Sequence, residues 1–315
     1  MKKYLLETVE RSLMHLLTLK DWSSKEIKEV VDSSLEIKRN PEEYEFALEG
    51  KSLAMIFQKT STRTRLSFEV GMTQLGGHAI YMDWMTTNLV LADLGDETRS
   101  ISGYVDGILA RVLRNSDLRA MAEASVVPVI NGCDEKYHPC QILADLVTIK
   151  EKKGHLKGLK LAYIGVHNNV CNSLIEGCTK AGVKIVTVTP LVNEASVDEG
   201  LVEAAKATGL YQNSMDFKAA VEDCDVVYTD TWVDMEYFLD SKFKKEKEKR
   251  VKTMLPYQVN RKLLGDSDAL IMHDMPIHRG YEIADNIIED PNSVIYLQSE
   301  NRLHSAKAIL KKLIG

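Results

Sequence analysis

The sequence contains no Cys-x-x-Cys pair, no glycine-rich phosphate loop and no apolar run of membrane-spanning length. Its five cysteines, Cys133, Cys140, Cys171, Cys178 and Cys224, are odd in number and scattered. Neither a disulfide framework nor a zinc site of ordinary spacing is visible, and reduced thiols in a cytoplasmic protein are the economical expectation. Without a Walker pattern, a nucleoside triphosphate is not the natural ligand to expect. Gly165-Val166-His167-Asn168-Asn169 likewise lacks the Gly-x-Gly-x-x-Gly that a dinucleotide pyrophosphate needs. A basic excess is missing too: the formal net charge is −6, which argues against a general nucleic-acid binder. Met1-Lys2-Lys3-Tyr4-Leu5-Leu6-Glu7-Thr8 has two lysines but no apolar stretch behind them. No secretory signal and no membrane partner are therefore expected.

What is present is an ordinary globular composition, 44% hydrophobic and 27% charged, over 315 residues, enough chain for two domains with separate cores. Ser23-Ser24-Lys25-Glu26 carries capping chemistry, and Ile27, Val30, Val31 and Leu35 follow at helical spacing until Asn40-Pro41. The apolar run 53–57 reads as a buried strand, followed by a helix over 65–76 that Gly76-Gly77 ends. Further strands are expected at 79–82, 107–112 and 126–130, with an irregular loop over 86–98 and helices starting at 101 and spanning 118–124. A long helix over 139–152 places Ile142, Leu143, Leu146 and Ile149 on one face, and the domain junction falls in the charged stretch after it. Strands at 159–165, 184–189, 225–228 and 269–272 then alternate with helices over 170–181, 197–208 and 216–222. The charge run 242–252 reads as a solvated helix or loop, and 302–313 as an amphipathic closing helix. Such alternation predicts an α/β fold of two domains, 1–150 and 151–299, each a parallel sheet flanked by helices.

Polar clusters sit where the expected strands run out, the place where open α/β sheets bind ligands. Ser61-Thr62-Arg63-Thr64-Arg65 follows the first strand at a helix start. Free first-turn N–H groups, a positive dipole end and guanidinium forks suit an anion there, and the other reading of the same residues is an ordinary Ser/Thr-capped helix start with two solvated arginines. Arg111 ends the strand over 107–112. His138-Pro139-Cys140-Gln141 opens the long helix, whose positive end should keep the imidazole neutral near pH 7 and able to donate to a carbonyl oxygen. A fourth cluster is Met272-His273-Asp274-Met275-Pro276-Ile277-His278-Arg279-Gly280, with Glu300-Asn301-Arg302 beyond it.

Together these stretches resemble the aspartate/ornithine carbamoyltransferase family, closest to its ornithine branch, from Phe57 to Leu303. The resemblance rests on Phe57-x-Lys59-x-Ser61-Thr62-Arg63-Thr64-Arg65, Arg111, His138-Pro139-Cys140-Gln141, Asp230-Thr231-Trp232, His273-x-x-Pro276 with Arg279-Gly280, and Glu300-Asn301-Arg302-Leu303. It implies a carbamoyl-phosphate domain, an amino-acceptor domain, and a C-terminal helix over 300–315 returning to the first. It also implies a homotrimer, or a multiple of trimers, with shared sites. By this resemblance Ser61, Thr62, Arg63 and Thr64 hold phosphate, and Arg111 reaches phosphate and carbonyl. His138 and Gln141 contact the carbamoyl group, and Arg302 completes that site. The implied catalytic set is Arg63, Arg111, His138 and Asp274, with no metal, flavin or nucleotide.

For the acceptor, the branch implies that Asn169 binds an α-carboxylate and that Asp230 holds an α-ammonium. Asp234, Met235, Asp274 and Met275 complete the acceptor set. Two departures stand out. Asp234-Met235-Glu236 replaces the usual Ser-Met-Gly, and His273-Asp274-Met275-Pro276 replaces His-Cys-Leu-Pro. Asp274 fits two opposed roles, accepting the reacting amine's proton or holding that amine charged and unreactive. The expected reaction is carbamoyl transfer to ornithine, giving citrulline and phosphate. The extra acids leave a more cationic acceptor such as putrescine open, and a non-catalytic member of the fold is the third reading.

Overall fold

The computed structural model describes residues 13–233, 238 and 241–315. The capped N-terminal stretch forms α1 (Ser24–Arg39), with Ser23 and Glu26 satisfying each other's backbone N–H groups. The apolar run after it forms β1 (Ser52–Phe57), flanked in parallel by β2 (His78–Asp83) and β3 (Gly107–Arg111), with β4 (Val129–Cys133) beyond β3. Parallel neighbours need crossovers, and α2 (Thr62–Gln74), α3 (Leu94–Ser102) and α4 (Asn115–Ala124) supply them. The order β2-β1-β3-β4 reverses direction between β1 and β3.

α5 (Pro139–Lys153) leads to a second parallel sheet made of β5 (Lys160–His167), β6 (Lys184–Val192), β7 (Tyr211–Asn213), β8 (Val226–Thr229) and β9 (Leu270–His273). Its order is β7-β6-β5-β8-β9, with the reversal between β5 and β8. α6 (Asn169–Ala181), α7 (Glu199–Ala207) and α8 (Phe217–Val221) cross over, and α9 (Lys244–Met254) is the expected charged helix. The closing helix, Ile295–Ile314, returns to pack on α1, α2 and α5. The fold class read from the sequence is the one observed. Among the described residues, no helix is long and apolar enough to cross a membrane, and all five cysteines are buried and unpaired.

Several local expectations are corrected. The segment 86–98 is not one irregular loop: short turns at Trp84–Thr86 and Asn88–Val90 precede α3, which Asp93 caps by accepting from the Asp96 N–H. That helix ends at Ser102, where one was expected to begin. β4 starts after Pro128, which has no N–H to give a ladder, so Val126 and Val127 stay outside it. α2 starts at Thr62 rather than 65, because Ser61 caps it. The closing helix starts at Ile295 rather than 302; exposed Tyr296 and polar neighbours mask its first turns. β7, a three-residue edge strand, was not foreseen. On α5, burial covers every residue from Pro139 to Ile149 rather than one face, because α1, α6 and the closing helix all pack against it.

The α5–α6 contact joins the two halves at Gly177, where an added Cβ would meet Ile142 Cγ2 at 2.5 Å and Leu19 Cδ1 at 3.2 Å. A β-branched methyl cannot swing aside, so Gly177→Ala is expected to destabilise the fold by about 1–3 kcal/mol. Urea unfolding should show a lower midpoint at unchanged slope; an unchanged midpoint would show that the helices do not meet this closely.

Candidate active site

Both reversal points open onto one cleft of about 350 Å³. The carboxyl ends of β1 and β3 contribute Lys59, Ser61, Thr62, Arg63 and Arg111; those of β5 and β8 contribute Asn168, Asn169 and Asp230. Ser61 caps α2 with its hydroxyl 3.3 Å from the Thr64 N–H, which turns the first helical turn toward the cleft. Arg63 donates from Nη2 to the Met275 carbonyl at 2.7 Å, tying the first half to the loop after β9, while its Nε is buried without a partner. Arg111 donates to the Gly132 carbonyl at 3.3 Å and also keeps a buried, unpartnered Nε. Arg302 arrives from the closing helix, almost fully buried.

Not every residue of the sequence motifs lines the cleft. Thr64 is fully buried, and its hydroxyl accepts from Arg302 Nη2 at 2.7 Å, so it holds a guanidinium rather than lining the cleft. Gln141 is fully buried in the first turn of α5, its Nε2 given to Asp145 at 2.8 Å and its Oε1 left without a protein partner. Arg65 turns outward to Glu69 at 2.8 Å and stacks over Tyr81. Glu300 pairs with Lys38 and Asn301 donates to Thr148, both outside the cleft.

His138 is the N-cap of α5, and its backbone N–H donates to Ser173 at 2.8 Å. Burial drives its imidazole well below the ordinary histidine range, and Arg302, Arg111, Lys59 and Arg63 reinforce the shift. The neutrality expected from the helix end is therefore present, with desolvation and neighbouring cations as its leading causes. Its Nδ1 is buried and unpartnered.

The same cleft also carries acids, set close to these cations. Asp230 is fully buried, accepting from Asn168 Nδ2 at 2.7 Å and from the Thr231 N–H at 2.8 Å. Burial, then the charge of Asp274, raise its carboxyl above the usual range. Asp274 lies 3.8 Å from Arg302, with Oδ1 buried and lacking a hydrogen-bond partner. Asn168 also caps α6, and Asn169 donates to the Asp134 carbonyl at 2.7 Å and to the Cys133 sulfur at 3.1 Å. Met275 lines the cleft at φ +63°, and Cys133 at φ +145°. Side chains seldom adopt such angles away from functional sites. Asp234, Met235 and Glu236 lie outside the described residues. Among the described residues, no group of three or more His, Cys, Asp or Glu could hold a metal ion.

Lys59, Asn168 and Cys133 line the cleft without having been singled out as site residues, although Lys59 and Asn168 stand in the motifs themselves. Asp145 was missed entirely, yet it is the one charge inside the apolar run from Ile142 to Ile149. The chemistry offered is that of a polarised cleft. Four cations and a neutral imidazole line it, suited to a phosphate and a developing oxyanion. Two carboxylates in the same cleft suit an amine, and Asp274, 3.8 Å from Arg302, is where the two sets meet.

A neutral His138 has a measurable consequence. NMR titration of its ring should show the neutral form persisting below pH 6; protonation centred near 6.5 would contradict the burial and cation argument. The sign of the stability effect follows, because only the unfolded chain takes up this proton near 6.5. Stability is lost as pH falls below that value, and His138→Asn should flatten part of the loss.

Comparison with known proteins agrees with this geometry. Residues 14–151 match the aspartate/ornithine carbamoyltransferase carbamoyl-P binding domain, and residues 157–313 match the Asp/Orn binding domain of the same family. Ornithine carbamoyltransferase of Pyrococcus horikoshii is 43% identical over 310 residues, covering 95% of each chain. The anabolic ornithine carbamoyltransferase of Pyrococcus furiosus is also 43% identical, covering 95% of this chain and 96% of its own. The solved ornithine carbamoyltransferase structure from Pyrococcus furiosus superimposes with a TM-score of 0.88 at 42% identity, covering 96% of this chain and 97% of that one. The chain belongs to the aspartate/ornithine carbamoyltransferase family.

Proposed function

We propose that the protein transfers the carbamoyl group of carbamoyl phosphate to the side-chain amine of ornithine, giving citrulline and phosphate. The observation that carries this reading is one cleft lined by four cations, Lys59, Arg63, Arg111 and Arg302, and by two acids, Asp230 and Asp274. In this reading residues 1–150, with the returning helix, hold the donor, and 151–299 hold the acceptor. Ser61, Thr62 and the first turn of α2 bind phosphate together with Arg63, Arg111 and Arg302. Thr64 contributes by fixing Arg302. The neutral amine attacks the carbonyl carbon, and the oxygen's growing charge is met by Arg111, Arg63 and a proton on neutral His138. The carbon–oxygen bond to phosphate then breaks, and phosphate leaves with the electron pair and takes up the proton that the amine nitrogen sheds. One preorganised donor of this kind is typically worth about 3 kcal/mol of barrier.

At the acceptor end, Asp230 takes the α-ammonium and the Asn168–Asn169 pair takes the α-carboxylate. Asp274 faces the reacting amine. The relatives' names support ornithine as the acceptor. Exposed apolar side chains, Leu66 and Val70 on α2 and Ile80, Tyr81 and Met85 on and after β2, offer a subunit interface of the kind a homotrimer with shared sites needs. The five buried, unpaired thiols support a cytoplasmic location.

The test is phosphate release from carbamoyl phosphate with ornithine, putrescine, lysine, agmatine or aspartate as acceptor. Ornithine should give the highest kcat/KM. Release with putrescine but not ornithine would overturn the acceptor, and no release with any amine would overturn catalysis. In the same assay Asp274→Asn should lower kcat or raise the KM for ornithine by about tenfold or more. Carbamoyl-phosphate affinity should hold or tighten, because an anion beside Arg302 has been removed.

A further inference from the structure

One buried carboxylate links the two halves behind the cleft. Asp145, on α5, is 1% exposed. Its Oδ1 accepts from Gln141 Nε2 at 2.8 Å and from Gln298 Nε2 at 2.7 Å, and its Oδ2 accepts from the Tyr228 hydroxyl at 3.0 Å. Gln298 Nε2 also reaches the Tyr228 oxygen at 3.1 Å, so the phenol accepts from the amide while donating to the acid. The partners come from α5, β8 and the closing helix, which are the elements that meet at the cleft.

The chemistry of this circuit sets two amide orientations. A carboxylate only accepts, so each glutamine must present its nitrogen to Asp145 and turn its oxygen elsewhere. For Gln298 the oxygen accepts from the His273 backbone N–H at 2.9 Å. That contact anchors the loop in which Met275 N–H donates to His273 Nδ1 at 2.7 Å and the Met275 carbonyl accepts from Arg63. For Gln141 the oxygen is left buried with no protein partner, one helical turn from His138. A buried amide oxygen without a partner is costly unless a bound donor meets it, and the carbamoyl group carries such a donor in its NH2. Burial raises the Asp145 carboxyl to about 7, while its three donors favour the anion that keeps the circuit in this sense.

We propose that Asp145 is a positioning residue for the donor substrate: it holds Gln141 with its oxygen free to accept from the carbamoyl NH2. Through Gln298 the same carboxylate sets the backbone that carries Asp274. This inference rests on the reading of the cleft as a carbamoyl-phosphate site, and its test separates the two.

Two phosphonates differ only at the group in question. Phosphonoacetamide has the NH2, and acetonylphosphonate has a methyl in its place. Calorimetric titration of the wild-type protein should show tighter binding of the amide. Asp145→Asn keeps the shape but can offer Nδ2 to Gln141, which frees the Gln141 amide to reverse. Phosphonoacetamide affinity should then fall about tenfold, while acetonylphosphonate affinity changes by less than about twofold. Asp145→Ser, which also lifts the acceptor-only constraint, should give the same selective loss and carries the test if Asp145→Asn fails to fold. On a Gln141→Met background, where the preference for the amide is already gone, Asp145→Asn should add nothing.

Equal weakening of both phosphonates would assign Asp145 a purely structural role and overturn the proposal. So would full retention of the preference in Asp145→Asn, Asp145→Ser or Gln141→Met. Failure of the wild-type protein to bind either phosphonate would instead overturn the carbamoyl-phosphate reading.

Discussion

Buried positive charge is the constraint on which this structure depends. Arg63, Arg111 and Arg302 crowd a neutral His138, and burial lowers the proton affinity of Arg63 and Arg302, with Arg111 adding to the effect on both and Arg63 to that on Arg302. Like charges brought together out of water need compensation. Part of it comes from Asp274, which counters the shift at both Arg63 and Arg302. Part comes from neutral acceptors: the Met275 and Gly132 carbonyls and the Thr64 hydroxyl. What is left over, two buried guanidinium Nε groups and the His138 ring nitrogen without partners, is an unfilled demand that a phosphate and a carbonyl would meet.

The two sheets make that convergence possible. Each reverses its strand order once, between β1 and β3 and between β5 and β8, and each reversal opens at the carboxyl ends of its strands. α5 and the closing helix then lock the halves into one register. α5 is buried around its whole circumference through Ile149, and the closing helix brings Arg302 back to the first turn of α2. Asp145 sits where these elements meet, so the same carboxylate that satisfies their buried polar groups also touches the machinery on both sides.

Much of this was legible in the residues. Alternating apolar runs and helical periods gave the parallel-sheet architecture, and the position of Ser61–Arg63 and His138 at helix starts marked residues that line the cleft. Direction was not legible from spacing. Thr64 and Arg65 are adjacent in sequence, yet one is turned inward to Arg302 and the other outward to Glu69, because a helix rotates consecutive side chains apart. Asn168 and Asn169 pose the same difficulty: the first caps α6 and holds Asp230, and the second reaches Asp134 and Cys133. Helix starts at 62, 94 and 295 were misjudged where a polar cap or a polar first turn hid the apolar period. Asp145 escaped notice because a single acid in an apolar run has no motif; only three-dimensional neighbours give it a role.

The central claim is that one cleft reads phosphate and carbonyl with its cations and an α-amino acid with the acids and asparagines beside them. A molecule joining a phosphonoacetyl group to the δ-nitrogen of ornithine engages both sets, and its putrescine counterpart lacks only the α-carboxylate. Calorimetry with the two is the most direct test. The account predicts that the ornithine adduct binds at least about tenfold more tightly, and that Asn169→Ala erases the difference. Equal binding of the two adducts, or tighter binding of the putrescine adduct, would contradict it.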